Sequence, residues 1–352
     1  MKTVSPQIFF ILGRPRSGTT LLRTLLDAHP EIKVPPEYPV LLNLYKEFGK
    51  EKNFSPELKK RFFEAFKERL ASPNWQYSYL EIDETSLLKD LESLPESSSF
   101  GDVFKLFYLH YTSIFPHKQA IMAIGDKNPI FATFGWRLRQ IFPDARIIFI
   151  VRDYRDNFLS VRKFSFEAPV VALQAYRWKY VVRKAWNFKL QYPNQTLIIR
   201  YEDLVDHPEK VLRLVLAFLG LVWDSQMLDY YKYAEVVKEK YDKELLELFH
   251  KNLGNPVNKS AIGQWKTHLS EREIQMADFV IGEWAAQMGY ERVFNKRSLG
   301  LYFRSAIWQI YGWMLYKIMD ASEFLPAGMK KRFALFLPFL AKWFHRIKRK
   351  KK

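Results

Sequence analysis

Residues 8–20 read Ile-Phe-Phe-Ile-Leu-Gly-Arg-Pro-Arg-Ser-Gly-Thr-Thr, five apolar residues that run straight into a glycine-bracketed, arginine-bearing loop. An apolar run of that length reads as a strand buried on both faces of a parallel sheet, with helices on either side. The interval from Gly13 to Gly18 is that of a phosphate cradle, yet a nucleoside-triphosphate P-loop requires lysine and then Ser or Thr after the second glycine. Thr19 stands where that lysine belongs, so the charge comes from Arg14 and Arg16 inside the loop, and Thr19 and Thr20 supply hydroxyls. Unpaired N–H groups at a helix start near Gly18, the positive end of the helix dipole and two arginine forks suit one short phosphate-like or sulfate-like group. The plain alternative is a Gly/Ser turn that binds nothing.

The stretch Pro15-Arg16-Ser17-Gly18-Thr19-Thr20-Leu21-Leu22-Arg23, followed by Leu25-Leu26-Asp27-Ala28-His29-Pro30, resembles the 5′-phosphosulfate loop of sulfotransferases that use 3′-phosphoadenosine 5′-phosphosulfate (PAPS). Within that family it is nearest in flavour to the tyrosylprotein branch and its bacterial relatives. The resemblance implies a P-loop-related, three-layer α/β fold with a central parallel sheet flanked by helices. It also implies transfer of a sulfuryl group to an acceptor hydroxyl, with Arg14, Arg16, Ser17, Gly18, Thr19 and Thr20 binding the cofactor and Arg16 taking part in catalysis.

Two further strand ends resemble the same family. Residues 146–163 read Arg-Ile-Ile-Phe-Ile-Val-Arg-Asp-Tyr-Arg-Asp-Asn-Phe-Leu-Ser-Val-Arg-Lys, an apolar strand followed at once by a charged helix start. This is similar to the family element that binds the cofactor's 3′-phosphate, matching Arg152 and Ser160 to its arginine and serine. The helix brings Ser160 back two turns from its start, so one charge and one hydroxyl can converge on one phosphate. Read without the family, Arg152-Asp153 and Arg155-Asp156 are surface ion pairs of little worth. The strand Thr196–Tyr201 leads into Glu202-Asp203-Leu204 and a helix after Pro208, resembling a family segment whose tyrosine lies near the nucleotide. Tyr201 is thus a candidate cofactor contact, with core packing as its alternative.

Transfer chemistry needs a base for the acceptor hydroxyl and cations for the moving group and the leaving phosphate. Glu37, which follows Pro35-Pro36 at the end of a short second strand, has the register of the tyrosylprotein branch's glutamate base, although that branch's next two residues, Thr-Arg, are here Tyr38-Pro39. Outside the family register it reads as a carboxylate at the start of a helix over 40–48. Lys127, at the end of an apolar strand over 120–124, stands in Gly125-Asp126-Lys127-Asn128-Pro129, which resembles the family turn whose lysine approaches the bridging oxygen. A solvated turn lysine is the alternative. Residues 255–266 resemble the late loop that closes over the cofactor. Asn255 replaces the branch's lysine there, and Lys259, Ser260 and Lys266 are the candidate contacts. The alternative is a surface loop ahead of a helix capped by Ser270 and Glu273.

Four apolar strands that each deliver polar residues at their C-terminal ends describe a parallel sheet with one ligand edge. We expect one domain over 1–295, with a helical insertion at about 54–115 over the acceptor side, and a basic, aromatic-rich helical tail over 296–352. The 352-residue chain is 48% apolar, enough for a sizeable core, and its lack of cysteine removes disulfides and thiol catalysis. The seven histidines are scattered without metal-ligand spacing, His29 reads as structural, and no metal is expected. A first strand starting by Ile8 leaves no room for a signal peptide, so a cytoplasmic location is expected.

The net charge of +17 is uneven: residues 301–352 hold twelve Lys and Arg against Asp320 and Glu323. The apolar stretches at 306–319 and 333–344 fall short of the roughly 20 residues that span a bilayer. Aromatic and leucine-rich faces with basic flanks suit an anionic membrane surface, here the inner face of a membrane, against the plainer reading of helices packed on the domain. Nucleic acid is not expected, because the aromatics cluster in apolar blocks and do not alternate with the lysines. The acceptor would be a glycan, lipid or protein-tyrosine hydroxyl. The competing readings are a kinase-like P-loop phosphotransferase and a catalytically silent membrane-associated protein that keeps the fold. Nothing in the sequence speaks to oligomeric state.

Overall fold

The computed structural model describes residues 6–322 except 38–39, 52, 71–79, 165–167, 234, 237–253 and 296–297. In chain order the elements are β1 (Gln7–Gly13), α1 (Thr19–Asp27), β2 (Ile32–Lys33), α2 (Val40–Phe48), α3 (Pro56–Leu70), α4 (Glu84–Ser93), α5 (Phe100–Leu109), β3 (Ala123–Lys127), α6 (Gly135–Ile141), β4 (Arg146–Val151), α7 (Tyr154–Val161), α8 (Val171–Gln191), β5 (Thr196–Arg200), α9 (Tyr201–Asp206) and α10 (Pro208–Leu219). After a 3₁₀ segment, Ser225–Tyr233, come α11 (Trp265–His268), α12 (Glu271–Ile281), α13 (Trp284–Gln287) and α14 (Leu299–Ser322).

The expected apolar run becomes β1, the middle strand of a five-stranded sheet ordered β2-β3-β1-β4-β5, and each pairing in it is parallel. Strand side chains alternate between faces, so a doubly covered strand must be apolar at every position. Ile8, Phe10 and Leu12 enter one core with residues of α2, α3, α5 and α8, while Phe9 and Ile11 enter the opposite core with residues of α1 and α10. Phe9 to Leu12 have no exposed surface. At about 1.5–3 kcal/mol for each fully buried side chain, these four positions anchor the sheet. The α/β layering therefore matches the expectation.

Two expectations shift. The described residues of 54–115 form α3, α4 and α5, and Phe62, Phe100, Phe104 and Phe107 join the same cluster as β1, so these helices supply a layer on one sheet face. Its Ser-rich break ends in a capping box in which Ser99 and Asp102 satisfy each other's backbone amides. The third strand runs Ala123–Lys127, three residues later than the apolar stretch 120–124. Gly125 and Asp126 enter the sheet for separate reasons: a Cβ at Gly125 would lie 2.5 Å from the Phe9 ring, and Asp126 is accommodated by a hydrogen bond from Tyr108. Lys127 is thereby the last residue of a strand and not part of a turn.

The helix expected over 40–48 forms as α2, and the box at Ser270 and Glu273 caps α12. Helix α14 lies along α8, with Tyr316 stacked on Tyr180 at 3.8 Å between ring centroids and Gly312 seated on Tyr176. The tail beyond residue 322, including the apolar stretch 333–344, lies outside the described residues.

Candidate active site

Five parallel strands point their C-terminal ends to one edge, and each tip carries one of the expected site groups or leads to it within a few residues. The loop after β1 is held in an unusual backbone: Arg16 has φ 69° and Gly18 has φ 92°, and Arg16 is the one non-glycine residue with positive φ among the described residues. Gly18 caps α1 without a side-chain hydrogen bond, which leaves the first-turn amides of α1 aimed out of the loop. Close packing also requires glycine there, since a Cβ would lie 2.3 Å from Cδ2 of Tyr201.

The loop and the tip of β4 are knitted together. Gly13 sits in register with Ile150, so the two tips are neighbours. Arg16 Nε donates to Ser160 Oγ at 3.1 Å, and Arg152 donates to the Arg16 carbonyl at 3.0 Å. Asn157 Nδ2 donates to the Pro15 carbonyl at 2.9 Å and to Ser17 Oγ at 3.2 Å. The Arg152 guanidinium lies 4.8 Å from the centre of the Tyr201 ring, and that ring packs against Gly18. Burial, then the neighbouring Arg152 charge, pushes Arg16 down to about 10. Two arginines pressed together in this way are relieved by an anion.

Arg14 departs from this group. It is 3% exposed and hydrogen-bonded to Gln174 of α8, so its guanidinium joins the packing of α8. Thr19 is buried at the start of α1, and Thr20 beside it is half-buried.

On the other side of β1, Lys127 Nζ and Glu37 Oε2 form an ion pair of 2.8 Å, with the lysine side chain 6% exposed and the glutamate 39%. The chain segment that carries Glu37 is fixed from below. Asp27 accepts the Val34 amide at 2.9 Å, and Arg23 donates to the carbonyls of Val34 (2.8 Å) and Pro35 (3.2 Å). Arg23 and Asp27 are themselves a buried pair, 3.4 Å apart. Beneath Lys127, Asp126 is fully buried with one hydrogen bond, 2.7 Å from Tyr108, and desolvation pushes it up to about 7. Asn128, next along, is wholly buried with both amide atoms unpaired.

The 255–266 segment folds onto the same edge. Asp156, buried in α7, accepts the amides of Gly263 (2.7 Å) and Trp265 (2.9 Å), and Arg152 donates to the Ala261 carbonyl at 2.6 Å. Burial raises Asp156 despite those two amides. Lys259 and Ser260 are exposed, with Lys259 paired to Asp206 at 2.7 Å. Lys266 lines an open cleft of about 480 Å³ with Asp153, Arg155, Glu202 and Tyr290. His29 is structural: its Nε2 pairs with the Val222 carbonyl and its Nδ1 accepts the Glu31 amide.

The geometry thus brings Arg16, Ser17, Gly18, Thr19, Ser160, Arg152 and Tyr201 together, and places Glu37 with Lys127 beside them. Asn157, Asp156, Arg23, Asp27 and Asp126 complete the support, and none was singled out for a role from sequence. Their only advance signal was a polar residue on an otherwise apolar or capping stretch. Among the described residues no group of His, Cys, Asp or Glu side chains is arranged to hold a metal ion.

Residues 6–225 match the model of the Sulfotransferase family. The chain is 25% identical over 308 residues to protein-tyrosine sulfotransferase 1 of Danio rerio, covering 83% of this chain and 75% of that one. It is 24% identical over 307 residues to the protein-tyrosine sulfotransferase of Drosophila melanogaster, and spans about half (53%) of that protein's length. Among solved structures, the sulfotransferase domain of the Synechococcus PCC 7002 olefin synthase shares the fold, with a TM-score of 0.51 and 20% identity over 79% of this chain and 96% of that domain.

Proposed function

The chain belongs to the sulfotransferase family, and from that premise we propose that it moves a sulfuryl group from PAPS to an acceptor hydroxyl, with a tyrosine side chain as the first acceptor class to test. The observation that carries this reading is the cationic join between two strand tips, in which Arg16 meets Ser160 while Arg152 grips the Arg16 carbonyl. A donor with phosphate at both its 3′ and 5′ positions fits that join. The 5′ end would take the amides of the Arg16–Thr20 loop and the hydroxyls of Ser17, Thr19 and Thr20. The 3′-phosphate would take Arg152 and Ser160. The buried Nε of Arg152, unpaired in the protein alone, and the ring of Tyr201 under Gly18 support that fit.

The donor supplies an activated sulfuryl group. The protein's part is to deprotonate the acceptor and hold charge. Glu37 takes the acceptor proton as the acceptor oxygen bonds sulfur and the bond from sulfur to the 5′-phosphate oxygen breaks, and the proton stays on Glu37. Lys127 leaves its ion pair with Glu37 to meet the charge that grows on the leaving phosphate. Arg16 holds the sulfuryl oxygens. The loop over 259–266, pinned by Asp156, shields the site from water, with Lys259, Ser260 and Lys266 as outer contacts. Arg14 supports the loop through Gln174. Residues 1–295 would form the transferase domain.

The test is incubation of the full chain with sulfur-labelled PAPS and a tyrosyl peptide. Label should move to the peptide, and Arg16→Ala should lower kcat/KM by at least about tenfold through loss of a charge-assisted contact. Failure to transfer label to any peptide, glycan or lipid hydroxyl would overturn the assignment.

A further inference from the structure

We propose that the outward face of α14 is a docking surface for an anionic lipid bilayer. A helix packed on a soluble domain shows one apolar stripe inward and charge outward. Helix α14 is apolar on both sides. Leu301, Ser305 and Tyr316 are turned inward with 8%, 0% and 3% exposure. On the opposite side Leu299, Phe303, Ile307, Ile310, Trp313 and Met314 are each 47–78% exposed.

Leu299, Phe303, Ile307, Ile310 and Met314 recur at intervals of three and four, and Trp313 flanks them, so they form one continuous ridge about 22 Å long. Exposed apolar surface this contiguous marks a contact site. The charges select the partner. Lys317 extends the ridge, and the helix's single acid, Asp320, is half-buried and interacts electrostatically with Tyr180 on α8. The thirty residues that follow the helix carry ten Lys and Arg and one acid, Glu323. Among the described residues no helix is long and apolar enough to cross a membrane. An apolar ridge with an aromatic at its flank, joined to a strongly basic continuation, complements an acyl–headgroup boundary that is negatively charged.

The absence of cysteine makes the test direct. Ile310→Cys supplies a single thiol for the full chain, read by its rate of alkylation with and without vesicles of phosphatidylcholine alone or mixed with phosphatidylglycerol. The thiol should react freely in the chain alone and slow by at least about tenfold on phosphatidylglycerol vesicles, with the protection lost at high salt. The double variant Ile307→Glu/Ile310→Glu should keep its thermal unfolding temperature and its donor affinity while co-sedimentation with the same vesicles drops at least about tenfold. Four results would overturn the proposal. These are a thiol already protected in the chain alone, which would mean that the tail or a second copy covers the ridge; equal protection on neutral vesicles; no protection on either; or unaltered sedimentation of the glutamate variant.

Discussion

Glu37 and Lys127 are 2.8 Å apart, so the proposed base is stored as half of an ion pair and becomes available only when the lysine turns to another anion. Glu37→Gln keeps an oxygen for Lys127 to donate to but cannot take a proton. We expect kcat to fall about 10²–10⁴-fold, with the affinity for 3′-phosphoadenosine 5′-phosphate, measured by calorimetry, unchanged. Asp126 gives a second residue-level expectation. Its acid form persists in the folded chain up to about 7, whereas an ordinary Asp ionises near 3.8. The folded state therefore binds the extra proton, and this group's contribution to stability is greatest below 3.8 and is lost as pH rises through about 7. Asp126→Asn accepts from Tyr108 without the charge, so denaturant unfolding across that window should show a flatter decline with pH than the parent. The positions of Glu37 and Lys127 near strand ends could be read from the residues around them, although Lys127 closes a strand and does not sit in a turn. Asp126 and Arg23 could not, because their partners Tyr108 and Tyr111 lie 18 and 88 residues away, and a lone polar residue on an apolar element looks the same whether it faces water or a hidden hydroxyl.

Elements with a strict apolar period were legible: β1 and α2 form where the pattern puts them, while β3 slid by three residues because a glycine under Phe9 and a neutralised aspartate could continue the strand. Helix α7 was harder to read. Its run of charges suggests a solvated surface, yet Arg155, Asp156 and Asn157 are all buried: Asp156 and Asn157 bond to other segments, while Arg155 pairs with Asp153 at the helix's own N-cap and lies over the Trp265 ring. Asp156 ties α7 to the 261–265 loop through two amides, so that helix and loop form one closing unit. Asp156→Ala leaves those amides unpaired and frees the loop. Losing hydrogen bonds to a charged group costs about 1.5–3 kcal/mol, and the expected result is a donor KM raised by roughly tenfold or more. Hydrogen exchange at Gly263 and Trp265 should accelerate in the same variant, whereas slow exchange there with a normal KM would show that the loop closes without Asp156.

At the scale of the whole molecule, the site belongs to no single element: the groups come from the ends of β1, β3, β4 and β5, from the segment after β2, and from a loop some 250 residues from the start of the chain. A ligand that engages all of them binds only the assembled sheet, and its binding energy appears as folding stability. The same arrangement is the basis for telling sulfuryl from phosphoryl transfer, because Thr19 in place of the P-loop lysine leaves little to hold a triphosphate, whereas Arg152 and Ser160 are the proposed contacts of a 3′-phosphate. At a concentration of 3′-phosphoadenosine 5′-phosphate a hundredfold above its Kd, linkage gives about 2.7 kcal/mol, a rise of a few degrees in Tm for a chain of this size. ATP at the same concentration should give almost none, and Arg152→Ala should remove most of the first shift when each is measured against the variant's own unliganded Tm, which falls because the Arg16 and Ala261 carbonyls lose their donor. Equal shifts from the two nucleotides would mean that the 3′-phosphate goes unrecognised, and a larger shift from ATP would make the chain a phosphotransferase.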